Sequence, residues 1–296
     1  MNLADVTVQP GRYILAVSGG VDSMVLLNLL HEQPGVQLTI AHFDHGIRQD
    51  SSDDRRFVAS AAQFYGLPFV YHRAELGPEA SEDQARRARY QFLHKVRQAA
   101  SADAIITAHH QDDVLETAIL NMLRGTGRRG LSSLLNTSSI IRPMLAVPKI
   151  DIVRHANNHD LLWHEDSTNQ DVRYARNHVR HNVVPRLSSL ERARFIDIVN
   201  NNQRINFQLD QELIHHLHYQ DQAHTINRRW FSSLPHNVAR EVLAMWLREH
   251  GIRDFDSRTL ERLTVHAKTQ AAGKRANIRG QYWLKVHGDH LALLTA

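Results

Sequence analysis

The chain has 296 residues, 42% of them hydrophobic and 22% charged, a globular composition at a length that suits about two domains. Lys and Arg number 35 against 31 acidic residues, a formal charge of +4, which excludes a histone-like polycation and requires any nucleic-acid contact to come from local clusters. There is no cysteine, which excludes disulfides, zinc–thiolate sites, iron–sulfur clusters and any persulfide carried by this chain.

The segment Met1 to Gln9 carries no positive side chain, and the apolar run Tyr13 to Val17 is too short for a signal-peptide core or a spanning helix. A cytoplasmic location with no membrane contact is the expectation. Tyr13 to Val17 reads as a buried strand, followed by a helix from Ser23 and a second strand over Gln37 to Phe43. A helix over Ser52 to Tyr65, a strand over Pro68 to Tyr71, a helix over Ser81 to Ala100 and a strand over Ala104 to Ala108 come next. β-Branched and aromatic runs separated by helical spacing predict an α/β fold, a parallel sheet with crossover helices. Ligands of such sheets bind at the carboxyl ends of the strands.

Directly after the first run stands Ser18-Gly19-Gly20-Val21-Asp22-Ser23. Two glycines permit a tight turn with converging amides, and a helix N-terminus adds partial positive charge, so the loop suits a phosphate. It is not Walker A, whose spacing and lysine are missing. After the second strand comes His42-Phe43-Asp44-His45-Gly46-Ile47-Arg48, where Asp44 and His45 are candidates beside Asp22 for catalysis or magnesium and Arg48 for phosphate or RNA. A turn with solvated polar residues is the competing reading.

Ala108 to Thr117 follows the fourth strand and opens a helix over Asp112 to Leu123. On that helix Asp113 and Glu116 are three residues apart and share a face, a pair suited to an ammonium group. A zinc or iron site is not expected, because the spacing is not His-Glu-x-x-His and acids at a helix start also answer the macrodipole. Gly125 to Gly130 spells Gly-x-Gly-x-x-Gly but follows a helix, so a dinucleotide fingerprint fails on context. With Arg124, Arg128 and Arg129 it reads as a mobile basic loop suited to RNA phosphate, or as a solvated one.

A short strand over Ile140 to Pro143 and a helix over Lys149 to His159 are expected. Glu165 to Asn169 is then followed by Arg173, Arg176 and Arg180, a cationic stripe on one helix whose buried side carries Val179 and Val183. Ser188 to His218 reads as a connecting helix or helix pair, with His215, His216 and His218 on its surface. Helices over Val238 to His250 and Ser257 to Ala267, and a hairpin of Tyr282 to Val286 with His290 to Leu294 turned at Gly288-Asp289, complete a smaller α+β domain. The expected domains are 1–187, a helical linker 188–218, and 219–296.

These four blocks, with Arg142-Pro143-Met144-Leu145, resemble the tRNA(Ile)-lysidine synthetase family of PP-loop proteins over Tyr13 to Leu187. The resemblance implies an adenine nucleotide alpha hydrolase-like fold and a ligase that forms a carbon–nitrogen bond in two steps. ATP adenylates the carbonyl oxygen at position 2 of the wobble cytidine in the CAU anticodon of tRNA(Ile), releasing pyrophosphate; free lysine then attacks that carbon and expels AMP. It further implies ATP at Ser18, Gly19, Gly20, Val21, Asp22 and Ser23, with Mg2+, and lysine at Asp113 and Glu116. Arg124, Arg128, Arg129, Arg173, Arg176 and Arg180 are the candidates for tRNA, and the small C-terminal domain is a further candidate. A homodimer is kept among the expected assemblies.

Three rivals remain at this stage. A PP-loop tRNA thiolase needs sulfur on cysteine or an iron–sulfur cluster, which this chain cannot supply. An amidotransferase-type or NAD-synthetase-type ligase would turn over ATP with ammonia and no RNA. A silent RNA-binding module would release no pyrophosphate.

Overall fold

The computed structural model describes residues 3–46, 51–77, 80–126, 128–132, 134, 136–164, 175–220, 225–252 and 255–295. The chain divides into two compact units, Met1–Asn202 and Gln203–Ala296.

In the first unit β1 (Gly11–Ala16), β2 (Val36–Asp44), β3 (Phe69–Arg73), β4 (Ala104–Ile106) and β5 (Ile140–Ile141) form a parallel sheet in the order β3-β2-β1-β4-β5. Ile14, Leu15, Ile40, Ile105 and Ile106 are fully buried, because helices cover both faces and leave no strand face for polar side chains. On one face Leu15, Ile40 and Ile106 pack with α1 (Val21–Leu30), with Val58 of α2 (Ser51–Phe64) and with Ile152 of α5 (Lys149–Asn158). On the other, Ile14, Ala41 and Ile105 pack with Leu93 of α3 (Glu82–Ala99). The helix α1 is buried nearly all round, which explains its uninterrupted apolar sequence Met24 to Leu27. A reciprocal capping box starts α3: Ser81 Oγ accepts from the Gln84 amide at 3.2 Å and Gln84 Oε1 accepts from the Ser81 amide at 2.8 Å.

The strand order reverses direction at β1, with β2 on one side and β4 on the other. This is the switch point of a doubly wound sheet, where the two loops leaving the strands diverge and open a crevice. The helix α4 (Gln111–Leu123) leaves β4 there. A short α6 (Ala175–His178), a π-helical turn over Val179–Val183 and a 3₁₀ turn over Val184–Arg186 follow in sequence after α5. Val179 and Val184 pack on Leu115 and Leu120 of α4. The π turn replaces the uniform α-helix expected for the arginine stripe.

One helix, α7 (Ser189–Gln220), occupies the segment read as a helix or helix pair, and the division between the units falls inside it. The second unit holds an antiparallel sheet in the order β6-β9-β8-β7, from β6 (Thr225–Asn227), β7 (Arg275–Arg279), β8 (Tyr282–Val286) and β9 (His290–Thr295). The expected hairpin is β8 with β9. β6 and β7 were not expected, and both are short and polar; in β7 only Ala276 and Ile278 turn inward. The helices α8 (Arg228–Ser233), α9 (His236–Glu249) and α10 (Ser257–Thr269) complete this unit. Its core is built on Phe231, Leu243, Trp246, Leu263, Leu284 and Leu291.

The Trp246 indole is fully buried, and its N–H meets no acceptor among the described residues. Trp246→Ala is therefore expected to cost ~3–5 kcal/mol in cavity and lost burial. Trp246→Phe keeps most of the packing and removes the unmet donor, so its cost should stay below ~1.5 kcal/mol. Urea unfolding of the full chain measures both.

Candidate functional site

The loop after β1 is shaped by its own serines. Ser23 Oγ accepts from the amides of Ser18 and Gly19, each at 3.2 Å, and donates to the Gly20 carbonyl at 2.9 Å. Ser18 Oγ accepts from the Gly20 amide at 3.3 Å. These bonds gather the loop amides around one centre. Gly19 has φ +96°, a conformation side chains rarely adopt, although a Cβ there would make only ordinary contact with Val58 and Phe57. Gly20 is the N-cap of α1 and carries no side chain, so no cap covers the helix start, where a phosphate gains most from amides and dipole. The residues present therefore fit a phosphate group.

Neighbouring elements hold the loop in place. The His42 ring donates to the Val17 carbonyl at 2.9 Å, and burial keeps that imidazole below its ordinary pKa. The His164 amide donates to the Gly19 carbonyl at 3.0 Å, while its ring stacks on Phe57 at 4.3 Å and meets Asp54 at 2.9 Å.

Asp22, at the start of α1, is the hub of the crevice. Its Oδ1 lies 2.5 Å from Lys149 Nζ and its Oδ2 lies 3.6 Å from His110 Nε2. Burial alone would raise its pKa, but the bonds and charges of His110 and Lys149 prevail and bring it to about 2. His110 is also 3.6 Å from Asp113 Oδ2, and its backbone amide donates to that oxygen at 2.9 Å, capping α4. Burial would lower the imidazole; the carboxylates of Asp113 and Asp22 raise it instead. His110, set between two acids, thus holds its proton more tightly than a free imidazole.

Asp113 and Glu116 do share one face of α4, and that face is occupied. Glu116 is 1% exposed; Arg180 donates to it through Nε at 2.7 Å and Nη2 at 2.9 Å, and Arg176 through Nε at 3.2 Å. Arg180 Nη2 also reaches Asp113 Oδ1 at 3.4 Å. Residues assigned from the sequence to two different ligands, an ammonium and an RNA, form one ion-pair network. Its fork geometry makes it a strong one. Arg180 is held above its ordinary pKa by Glu116 and Asp113, against its own burial.

Beside the acids lies a basic recess that the motifs did not single out. Arg86 and Arg89 of α3, three residues apart, lie over the Tyr90 ring at 5.1 and 5.4 Å. Arg142, next after β5, is 6% exposed. Burial would raise the Tyr90 hydroxyl, but Arg89, Arg86 and Arg142 lower it. Burial, together with Arg89, Arg142 and Arg86, brings His109 to about 3 against the pull of Asp113, so its imidazole is neutral. Thr107 Oγ1 shares a hydrogen bond of 2.8 Å with it. The available signal was Arg86 and Arg89 at helical spacing before an aromatic residue.

Asp44 is buried at the end of β2, where its Oδ1 accepts from the Gly46 amide at 2.8 Å and its Oδ2 lies 3.7 Å from Arg73 Nε. Gly46 has φ +66°, and a Cβ there would fall 2.0 Å from the Ala74 carbonyl oxygen, so this turn requires glycine. The His45 ring meets Phe43 edge to face at 4.8 Å. Arg124 is exposed at the C-cap of α4, and the Arg128 carbonyl accepts from Asn202 at 3.3 Å. Arg129 is half-buried. Arg48, Arg173 and the Glu165 to Asn169 block lie outside the described residues. Among the described residues no group of three or more His, Asp or Glu side chains is arranged to hold a metal ion. Asp22 is the carboxylate at the phosphate loop that suits a magnesium ion carried in with a nucleotide.

A parallel α/β sheet whose glycine–serine loop and acidic helix start meet at the switch point defines a phosphate-loop nucleotide domain. The chain belongs to the PP-loop domain family, whose model matches residues 2–187. It is 36% identical over 181 residues to a tRNA(Ile)-lysidine synthase of Solibacter usitatus, covering 60% of this chain and 41% of that one. It is 37% identical over 195 residues to the enzyme of that name from Geobacter sulfurreducens, covering 62% and 41%. The chain thus spans well under half the length of these relatives. Among solved structures, the U34-tRNA thiolase NcsA from Methanococcus maripaludis, with its [4Fe-4S] cluster, shares the fold at TM-score 0.56 and 18% identity, over 67% of this chain and 73% of that one. Among the described residues no helix is long and apolar enough to cross a membrane.

Two outcomes follow from the charge network. Arg180→Ala leaves Glu116 buried with Arg176 as its remaining fork, and should destabilise the chain by ~2–3 kcal/mol, below the ~3–5 of a sealed pair because Arg180 is about a third exposed. A double-mutant cycle with Glu116→Gln, read by urea unfolding, measures the coupling. The two hub residues respond to pH in opposite senses. The depressed Asp22 contributes stability that is in place above 3.8 and is lost as pH falls through about 2. The raised His110 contributes stability that is complete below 6.5 and is lost as pH rises through its elevated value. His110→Gln should therefore flatten the loss of stability on the alkaline side of 6.5 and, because His110 leads the groups that depress Asp22, also shrink the acid limb, as measured by unfolding across pH.

Proposed function

We propose that this chain is a tRNA(Ile)-lysidine synthetase: a carbon–nitrogen ligase that uses ATP to join free lysine to position 2 of the wobble cytidine of tRNA(Ile) with a CAU anticodon. The observation that carries the reading is the meeting of separate sequence blocks in one crevice, with Asp22 and Lys149 in contact across 127 residues, in a chain similar over this region to enzymes of that name.

The loop Ser18–Ser23 binds the triphosphate at the start of α1, its turn held by the bonds from the Ser18, Gly19 and Gly20 amides to the serine oxygens. Magnesium, held by Asp22, would neutralise charge on the phosphates. Adenylation turns the cytidine carbonyl oxygen into a good leaving group, and the loop donors favour the charge that develops. The basic recess of Arg86, Arg89 and Arg142 suits a phosphate of the RNA backbone. Neutral His109 beside it adds no charge. Asp113 and Glu116 receive the lysine ammonium once Arg176 and Arg180 turn toward an anionic partner. Residues 1–187 form the catalytic domain, 188–218 link it, and 219–296 contribute tRNA contacts; the protein works in the cytoplasm.

The test is pyrophosphate release from ATP with lysine and a CAU-anticodon tRNA(Ile), against the same tRNA with its wobble cytidine replaced. Release and lysine incorporation are expected only with the intact base. Turnover indifferent to that base would overturn the reading in favour of another PP-loop ligase.

A further inference from the structure

We infer that Lys149 is a phosphate-positioning residue: it supplies from α5 the mobile cation that the loop lacks, neutralising Asp22 in the empty site and passing to the nucleotide phosphates when the metal-loaded nucleotide arrives. The inference rests on the proposal that ATP binds at the loop.

The hexapeptide Ser18 to Ser23 contains no lysine or arginine, so its own side chains cannot balance a triphosphate. The Lys149 ammonium stands at the loop, 2.5 Å from Asp22 Oδ1. Its backbone is fixed from three directions. Pro148 sets the start of α5, with φ −65°; the Lys149 amide donates to Asp112 Oδ1 at 3.4 Å; and Ile152 and Ala156, one and two turns on, are fully buried in the core shared with α1. The four-carbon stem is the movable part.

Exposure of the carboxylate separates this pair from that of Glu116 with Arg180. The Lys149 and Asp22 side chains are 36% and 29% exposed, whereas Glu116 is sealed at 1% beneath its arginines. An accessible lysine–carboxylate pair is exchangeable at little cost, because water and a competing ion reach both ends. A divalent metal carries twice the charge of an ammonium and is the stronger partner for Asp22. Displaced by one rotamer step, the ammonium stays beside the loop and meets the phosphate oxygens as a point charge with three donors. His110, also in contact with Asp22, is buried beneath the pair and holds the carboxylate in place during the exchange.

The structural alternative is a pin that merely docks α5 on the loop. Lys149→Met and Lys149→Arg, in the full chain, separate the two. Binding of radiolabelled ATP with magnesium, measured by equilibrium dialysis, is expected to weaken about tenfold or more in Lys149→Met and to return to within about threefold of wild type in Lys149→Arg. Steady-state pyrophosphate release should show the loss mainly in KM for ATP, with kcat less affected, and the thermal midpoint without nucleotide should hardly move. A lowered midpoint with unchanged ATP binding in Lys149→Met makes the residue a pin and overturns the inference. Failure of the wild-type chain to bind ATP overturns the nucleotide reading together with this one; loss confined to Lys149→Met leaves that reading standing.

Discussion

A buried carboxylate needs cations, and the arrangement of this crevice follows from that requirement. Three acids, Asp22, Asp113 and Glu116, sit at the ends of β1 and β4 where the sheet's reversal opens a gap, and each is largely withdrawn from water. For Asp22 and Asp113 desolvation opposes the charge, and neighbouring cations overcome it. The fold answers with four basic groups from three distant segments: His110 at the start of α4, Lys149 at the start of α5, and Arg176 and Arg180 around the π turn. The helices are placed by their apolar faces, but their N-terminal ends are registered to the sheet by these pairs.

The same requirement explains which parts of the site were legible in the sequence. The sheet could be read because β1 and β4 carry the apolar runs Tyr13 to Ala16 and Ala104 to Ile106, as strands buried on both faces do, and β2 is rich in β-branched and aromatic residues. The phosphate loop could be read because its glycines and serines act on their own neighbours: Ser23 closes on Ser18, Gly19 and Gly20 within five residues. Local chemistry leaves a local signature. The charge partners leave none, because Lys149 looks like any helix-starting lysine until the sheet brings it to Asp22.

Two expectations met partners that the sequence did not show. Asp113 with Glu116, and Arg176 with Arg180, each formed a one-sign cluster, and a one-sign cluster viewed alone invites a ligand of the opposite sign. Folding made them each other's counter-ions. The stripe expected on one uniform α-helix was also reset, since the wider turn over Val179–Val183 keeps Val179 against α4 while Arg180 stays on Glu116. In the second unit β6 and β7 escaped notice because each offers the core one or two side chains. Their pairing is imposed by β8 and β9, whose alternation is stronger.

On the proposed function the charge map has a logic beyond stability. An enzyme of that kind, bringing together a triphosphate, an RNA and a cationic amine, must present both signs of charge within one crevice without letting them collapse into an inert salt. Here the two signs are graded by accessibility. The grading lies in the carboxylates: the Glu116 side chain is 1% exposed, Asp113 11% and Asp22 29%. The open carboxylate, Asp22, lies at the phosphate loop, where the most highly charged ligand would enter and where exchange must be fast. The sealed one, Glu116, is where a change of partners is slower and needs a reason. A gradient of this kind allows ligands to be admitted in order with no moving domain, because each arriving charge meets the pair it is best able to open.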